Sequence, residues 1–333
     1  MNNRLETLLA EKGHLLADGA TGTNFFEMGL GPGDPPEMWN LDQPEKVTKL
    51  HQDFVDAGSD IILTNSFGGT RHRLKLHNMQ DRVFELNKAA AALARKVADG
   101  AGRTVIVAGS VGPTGELFEP MGALTHEDAV SSFSDQIAGL KAGGADVVWI
   151  ETMSSMEEIE CAAEAAIEND MPYVYTASFD TAGRTMMGVK PADLPGAVAE
   201  QKQQPVAVGS NCGVGASDLL VTTLAMTDAR PDAVVVAKAN AGIPVLHGEH
   251  VHYSGTPELM ADYVKLALDS GARIVGGCCG NSPAHVKAMR DAMDGYKRGA
   301  RPTVDEIVSK LGALVSPPNE NAGERRRGGR RGR

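Results

Sequence analysis

Eight short, nearly uninterrupted apolar runs recur along the chain, and this repetition limits the fold more than any other feature. They fall at Leu15-Leu16-Ala17, Ile61-Ile62-Leu63, Val105-Ile106-Val107-Ala108 and Val147-Val148-Trp149-Ile150. The series continues with Tyr173-Val174-Tyr175-Thr176-Ala177, Val206-Ala207-Val208, Val234-Val235-Val236-Ala237 and Ile274-Val275-Gly276. Runs of this length without polar alternation suit parallel strands covered on both faces. Most of the segments between them carry helical periodicity, as over 83–98, 129–141, 156–167 and 259–268. Eight such alternations predict an α/β fold, a (β/α)8 TIM barrel over residues 1–300, in preference to an open doubly wound sheet.

Beyond the barrel, residues 303–314 place Val304, Ile307, Val308 and Leu311 on one face. That pattern predicts a helical extension over 301–315, packed on the barrel or on another subunit. From Ser316 the chain turns to Pro, Asn, Glu and Gly and then to a run of Arg and Gly. Such a stretch lacks the apolar surface to fold, so 316–333 is expected to be a disordered basic tail. The whole chain has a net charge of −11, and its body is more acidic still once the tail is set aside. An acidic body argues against nucleic acid as the main partner. No apolar run approaches membrane-spanning length, and the charged N-terminal segment lacks the apolar core of a signal peptide. The expectation is a cytoplasmic protein.

Reading each run to its C-terminal edge gives Asp18, Asn65, Ser110, Glu151, Ser178, Asn211 with Cys212, Asn240, and Cys278 with Cys279. In a barrel these edges face one mouth, where such enzymes keep their chemistry. Any one of them alone could be turn chemistry, since Asp and Asn often end strands. Together they favour a binding site for a small zwitterion.

Gly276-Gly277-Cys278-Cys279-Gly280 is the strongest local signal. Neighbouring residues on a strand point to opposite faces, so both thiols reach one ion only where the strand ends and glycine lets the backbone turn. Cys212 ends another run. Three thiolates from two strand ends suit Zn2+ with its fourth position open, as a catalytic zinc requires. Buried apolar cysteines or a strained vicinal disulfide are the alternatives, and neither accounts for the flanking glycines. Cys161, in an alanine-rich helical stretch, reads as packing.

The loop Asp18-Gly19-Ala20-Thr21-Gly22-Thr23 lacks the ending of a phosphate loop. Its glycines suit close approach of backbone N–H groups to a carboxylate, with Asp18 available for an ammonium group. The long segment 24–44, with Phe25, Phe26, Met28 and Trp39, is expected to form a lid over the mouth.

These motifs resemble the homocysteine S-methyltransferase family. The resemblance is carried in order by residues 18–23, Thr64-Asn65-Ser66-Phe67, Gly109-Ser110-Val111-Gly112-Pro113, Glu151-Thr152, Asn211-Cys212-Gly213, Asn240-Ala241-Gly242 and Gly277-Cys278-Cys279-Gly280. Ala239 and Asn281 depart from the family pattern, and neither removes a ligand. The resemblance implies a barrel with zinc held by Cys212, Cys278 and Cys279. It implies a homocysteine site of Asp18, Gly19, Glu151, Thr152, Ser178 and Asn211. Phe25, Trp39, Asn65, Phe67 and Asn240 are expected on the lid or the methyl-donor side.

The donor itself is open at this level. An enclosed quaternary ammonium such as betaine needs aromatic faces, and Thr152 stands where the betaine-specific branch carries tyrosine. The expected donor is therefore methylcobalamin on a separate corrinoid-binding protein. Betaine or S-methylmethionine is the alternative, and a zinc- or homocysteine-binding module without catalysis is the alternative of another class.

Overall fold

The computed structural model describes residues 3–247 and 250–318. Its barrel strands are β1 (Leu15–Leu16), β2 (Ile61–Leu63), β3 (Ile106–Val111), β4 (Val147–Met153), β5 (Tyr173–Ala177), β6 (Ala207–Cys212) and β7 (Val235–Ala239). After β7 an antiparallel hairpin intervenes, β8 (Pro244–His247) with β9 (His250–Tyr253), before the last barrel strand, β10 (Ile274–Gly277). The eight barrel strands pair in parallel in the order β1-β10-β7-β6-β5-β4-β3-β2. A parallel bridge between Ala17 and Ile61 joins the two ends, and the Asp60 N–H donates to Leu16 O at 2.7 Å. The expected (β/α)8 barrel is the fold.

Strand pleating divides the core in two. Leu15, Ile61, Ile106, Val147, Trp149, Val174, Val236 and Ile274 form one buried cluster inside the barrel. Leu16, Ile62, Val107, Ala237 and Val275, from the alternate positions, pack outward against the helices. The N-terminal helix Arg4–Lys12 adds Leu5, Leu8 and Leu9 to the inner cluster and so plugs one end of the barrel. The opposite end, where the strands finish, is the mouth.

The helices start where sequence chemistry lets them. Thr125 and Ser155 cap the helices His126–Ala142 and Met156–Glu168, their hydroxyls accepting from Asp128 N and Glu158 N. Acidic first turns, Glu127-Asp128 and Glu157-Glu158, complement the helix dipoles. Between β5 and β6 the regular helix is missing, and the chain makes only a short 3₁₀ turn at Leu194–Gly196. Gly183, Gly188, Pro191, Pro195 and Gly196 account for that break in the alternation.

The C-terminal helix, Val304–Leu311, is capped by a reciprocal Thr303–Glu306 box and buries Ile307 completely. It packs on the barrel helices Ala216–Ala229 and Pro257–Asp269. Residues 316–318, expected to begin the disordered tail, belong instead to the ordered structure. Asp218 accepts the N–H groups of Val315 and Ser316 at 3.0 and 2.8 Å, and the Ser316 hydroxyl accepts from Ala182 N at 2.7 Å. The Asp218 carboxylate, remote in sequence, anchors this strap, which local composition does not reveal. The rest of the expected tail, 319–333, lies outside the described residues. No helix among the described residues is long and apolar enough to cross a membrane.

Candidate functional site

The inward side of the barrel changes character as the strands approach the mouth. Above the apolar cluster, the next inward positions are Ser110 on β3, Glu151 on β4, Thr176 on β5, Asn211 on β6 and Lys238 on β7. All five are buried. Cys278 follows directly on β10, so one polar layer closes the barrel interior and carries a thiol.

Cys212 is what brings a cluster of thiols to that layer. Its φ of 57° is unusual for a residue with a side chain, and it swings the thiol from the end of β6 towards β10. The Cys212 and Cys278 sulfurs lie 2.7 Å apart, and Cys212 and Cys279 3.8 Å. All three sulfurs fall within 4.8 Å of one another, the one such metal-competent cluster among the described residues. The turn after Cys279 requires Gly280: φ is 79°, and a Cβ there would strike the Tyr253 ring at 2.3 Å. Cys161 lies far from this centre, buried, with its sulfur 3.3 Å from His126 Nδ1.

Without a cation the three thiols cannot all ionise. Hydrogen bonding to Cys278 and then Cys279, with burial, holds Cys212 well above the usual thiol value. The Cys212 contact favours a Cys278 thiolate, yet hydrogen bonding to Cys279 and burial outweigh it and push Cys278 up to about 12. Cys279 is pushed down by hydrogen bonds from Cys212 and Cys278. Three sulfurs this close form a donor set whose chemistry suits a soft or borderline cation such as Zn2+.

Asn211 links this centre to the neighbouring strand. Its Oδ1 accepts from Thr152 N at 2.8 Å and from the Thr176 hydroxyl at 2.6 Å, while its Nδ2 donates to Thr152 Oγ1 at 2.8 Å. Thr152 needs that support. It has φ 62° in a β-branched residue, at the irregularity where β4 leaves its register with β5. Glu151, beside it, accepts from the Ser110 hydroxyl. Burial raises its carboxyl to about 7, against the opposing pull of Lys238.

The remaining expected residues divide. Gly19 is a close-approach position, since a Cβ there would meet Asn281 O at 2.4 Å. Asn281 in turn donates to Ala239 O at 2.9 Å and Cys278 O at 3.1 Å, bracing the cysteine turn. Asn240 donates to Gly213 O at 2.9 Å, and Ser178 is buried with its hydroxyl 3.4 Å from Asp180. Within the expected lid segment, the structure corrects two residues, Phe25 and Trp39, and leaves Phe26 exposed. Phe25 and Trp39 pack against each other at 5.0 Å in the layer between strands and helices, so neither offers a ring to the mouth. The segment is stitched down rather than free: Asn65 donates to Pro36 O at 2.7 Å, Asn40 donates to Asn65 O at 2.8 Å, and Glu37 accepts from Gly68 N at 2.6 Å. Phe67 is the donor-side aromatic left exposed.

Two residues of the mouth escaped the sequence reading. Tyr253 lies against Gly280, beside the cysteine turn, from a strand of the hairpin that no barrel repeat announces. Lys238 donates to Asp18 Oδ1 at 3.1 Å. A lysine continuing a valine-rich strand is a readable signal, because a charge in such a strand must find a partner inside.

The profile of the homocysteine S-methyltransferase family matches residues 15–293. The methionine synthase of Mycobacterium tuberculosis (strain ATCC 25618 / H37Rv) is 27% identical over 319 residues, covering 89% of this chain and 26% of that protein. The chain thus spans about a quarter of the length of that relative. The homocysteine methyltransferase MmuM from Escherichia coli superposes in its metallated form with a TM-score of 0.74 at 24% identity, over 87% of this chain and 99% of that one. Its oxidized form gives 0.73 at 25%, over the same shares.

Proposed function

Because the chain belongs to the homocysteine S-methyltransferase family and is a methyltransferase, we propose that it forms methionine by methyl transfer to the sulfur of homocysteine at the barrel mouth. The observation that carries this reading is the convergence of the half-buried Cys212, Cys278 and Cys279 at the edge of the buried polar layer that holds Glu151. Zinc, held by those three thiolates, would supply a positive centre that favours ionisation of a fourth sulfur, the substrate's. A free thiol has a pKa of about 8.5 and is mostly un-ionised at neutral pH.

The chain's own groups do the rest. Glu151 brings negative charge to the mouth for the amino group, with the Asp18 carboxylate in the wall behind it, and the Gly19 turn leaves backbone close to the substrate. Asn211 fixes Thr152, and through it the end of β4 that carries Glu151. Holding the amino acid end in this way aims the sulfur out of the mouth, and such orientation can contribute about 7 kcal/mol or more.

For the donor we propose methylcobalamin carried by a separate protein. The burial of Phe25 and Trp39 speaks against an aromatic enclosure for betaine. The loops around the mouth also expose Phe26, Phe67, Leu117, Met121, Met186, Met187 and Ile243, an apolar rim of the kind that meets a large partner. The test is a donor screen with zinc-loaded protein and homocysteine, measuring methionine. Turnover is expected with a methylated corrinoid protein and little with betaine or S-methylmethionine. Robust turnover with betaine alone would move the donor assignment to the small quaternary ammonium and leave the thiol acceptor in place.

A further inference from the structure

Lys238 is a charged group in the mouth that the proposed reaction does not use. It sits beside Asn211 and Gly276 in the strand register and is only 2% exposed. Its ammonium lies 5.8 Å from the Trp149 ring centre, within the range of a cation–π contact. The hydrogen bond to Asp18 Oδ1 and the burial of both residues make this an internal ion pair.

The pair separates two carboxylates that otherwise look equivalent. Asp18 has both oxygens occupied, Oδ1 by Lys238 and Oδ2 by the Leu63 N–H at 2.7 Å. It therefore ties the end of β1 to β2 and β7. Glu151 has one oxygen on Ser110, and its other oxygen takes no hydrogen bond among the described residues. Burial pushes the Asp18 carboxyl up against the opposing Lys238 charge. The charges of Asp18 and Glu151 outweigh burial at Lys238 and keep it above the usual lysine value.

We propose that Lys238 is a positioning residue: it commits Asp18 to the barrel wall, so that Glu151 alone recognises the ammonium group of the substrate. This deepens the homocysteine reading and rests on it. Without an internal cation, two buried carboxylates would compete for one ammonium group, and their repulsion would drive one of them to take up a proton.

The experiment compares homocysteine with 4-mercaptobutyrate, the same molecule without its amino group, by calorimetry on zinc-loaded protein. The ratio of the two dissociation constants isolates ammonium recognition. One charge-assisted hydrogen bond predicts a ratio of roughly 10 to 100 in the parent protein. Glu151→Gln should bring it close to one. The paired variant Asp18→Asn/Lys238→Met should keep it within about threefold of the parent, as expected of a balanced ion pair removed together. Lys238→Met alone frees Asp18 and should shift the ratio, which a purely structural lysine would not do. A paired variant whose ratio collapses as in Glu151→Gln would overturn the proposal.

Melting temperature gives a ligand-independent arm. Asp18→Asn should melt below the paired variant, because it strands the Lys238 charge. A paired variant melting no higher than Asp18→Asn would overturn the pairing. Failure of the functional reading shows separately, as a parent protein that binds neither thiol, and the melting comparison still decides the pairing in that case.

Discussion

The lower and upper halves of the barrel interior are built from the same strands by the same pleat, yet they perform opposite tasks. Near the plugged end the inward positions are Ile61, Ile106, Val147, Val236 and Ile274, all fully buried and apolar. One or two pleat repeats nearer the mouth they become Ser110, Glu151, Asn211 and Lys238, also buried but polar. Burial is the same and its energetic meaning is reversed. Below, each side chain stabilises by leaving water; above, each costs desolvation that only a fitted partner offsets. A barrel can carry such a layer because the apolar layers beneath hold its geometry.

The sharpest way to break that comparison is at the thiols. Cys278→Ser should remove most of the metal and nearly all methyl transfer while leaving the fold, as metal analysis of the purified variant would show. Full zinc occupancy there would mean the upper layer has another purpose.

Next comes Glu151. Glu151→Gln should weaken homocysteine binding by about tenfold to a hundredfold, the loss of one charge-assisted hydrogen bond. In the parent protein the carboxyl is raised to about 7 from an ordinary 4.5, which fixes the sign of the pH effect. Affinity for the ammonium group is full where Glu151 is ionised, above about 7, and declines as pH falls through that value. The contribution of this group to folding runs the other way: it is fully present below 4.5 and lost as pH rises through about 7. Calorimetric titration of parent and variant across pH separates the two, since the variant should lack the acid limb. An identical limb in Glu151→Gln would assign it elsewhere.

In the lower half, Ile106→Ala should cost about 2–5 kcal/mol in denaturant unfolding and leave zinc content per folded molecule unaltered. A loss of metal larger than the loss of folded protein would show that the two halves are not separable. The smallest effect is expected at Cys161→Ser. That thiol is buried beside His126, and burial and nearby glutamates raise it to about 12. It should keep its zinc and shift stability by about 1–2 kcal/mol.

Much of this division was legible in the sequence. The apolar runs gave the strands, and their C-terminal edges gave Ser110, Glu151, Asn211 and the three thiols, because strand period and glycine punctuation are local properties. What escaped depends on distant partners. The Val234–Ala237 run ended one residue short of Lys238, whose burial makes sense only once Asp18 is seen across the barrel. Phe25 and Trp39 looked like lid residues because composition cannot tell an aromatic ring over a mouth from one under a helix. The missing helix between β5 and β6 was marked by its glycines and prolines, yet the strap that Asp218 holds near that gap was not.

That strap has a consequence for anything joined to the protein. The N-terminal helix closes the plugged end of the barrel, whereas the chain at 315–316 is fastened beside Asp180 and Asp218, just past the ends of β5 and β6. A module attached at the N-terminus starts on the far side of the barrel from the thiols. One attached directly after Pro318 starts at the rim, and an added Gly/Ser linker of about 15 residues would have a root-mean-square span of only about 20 Å. At that range the local concentration of a tethered group at the mouth reaches the millimolar scale, so Asp218 decides which end of the chain is a neutral place for a fusion.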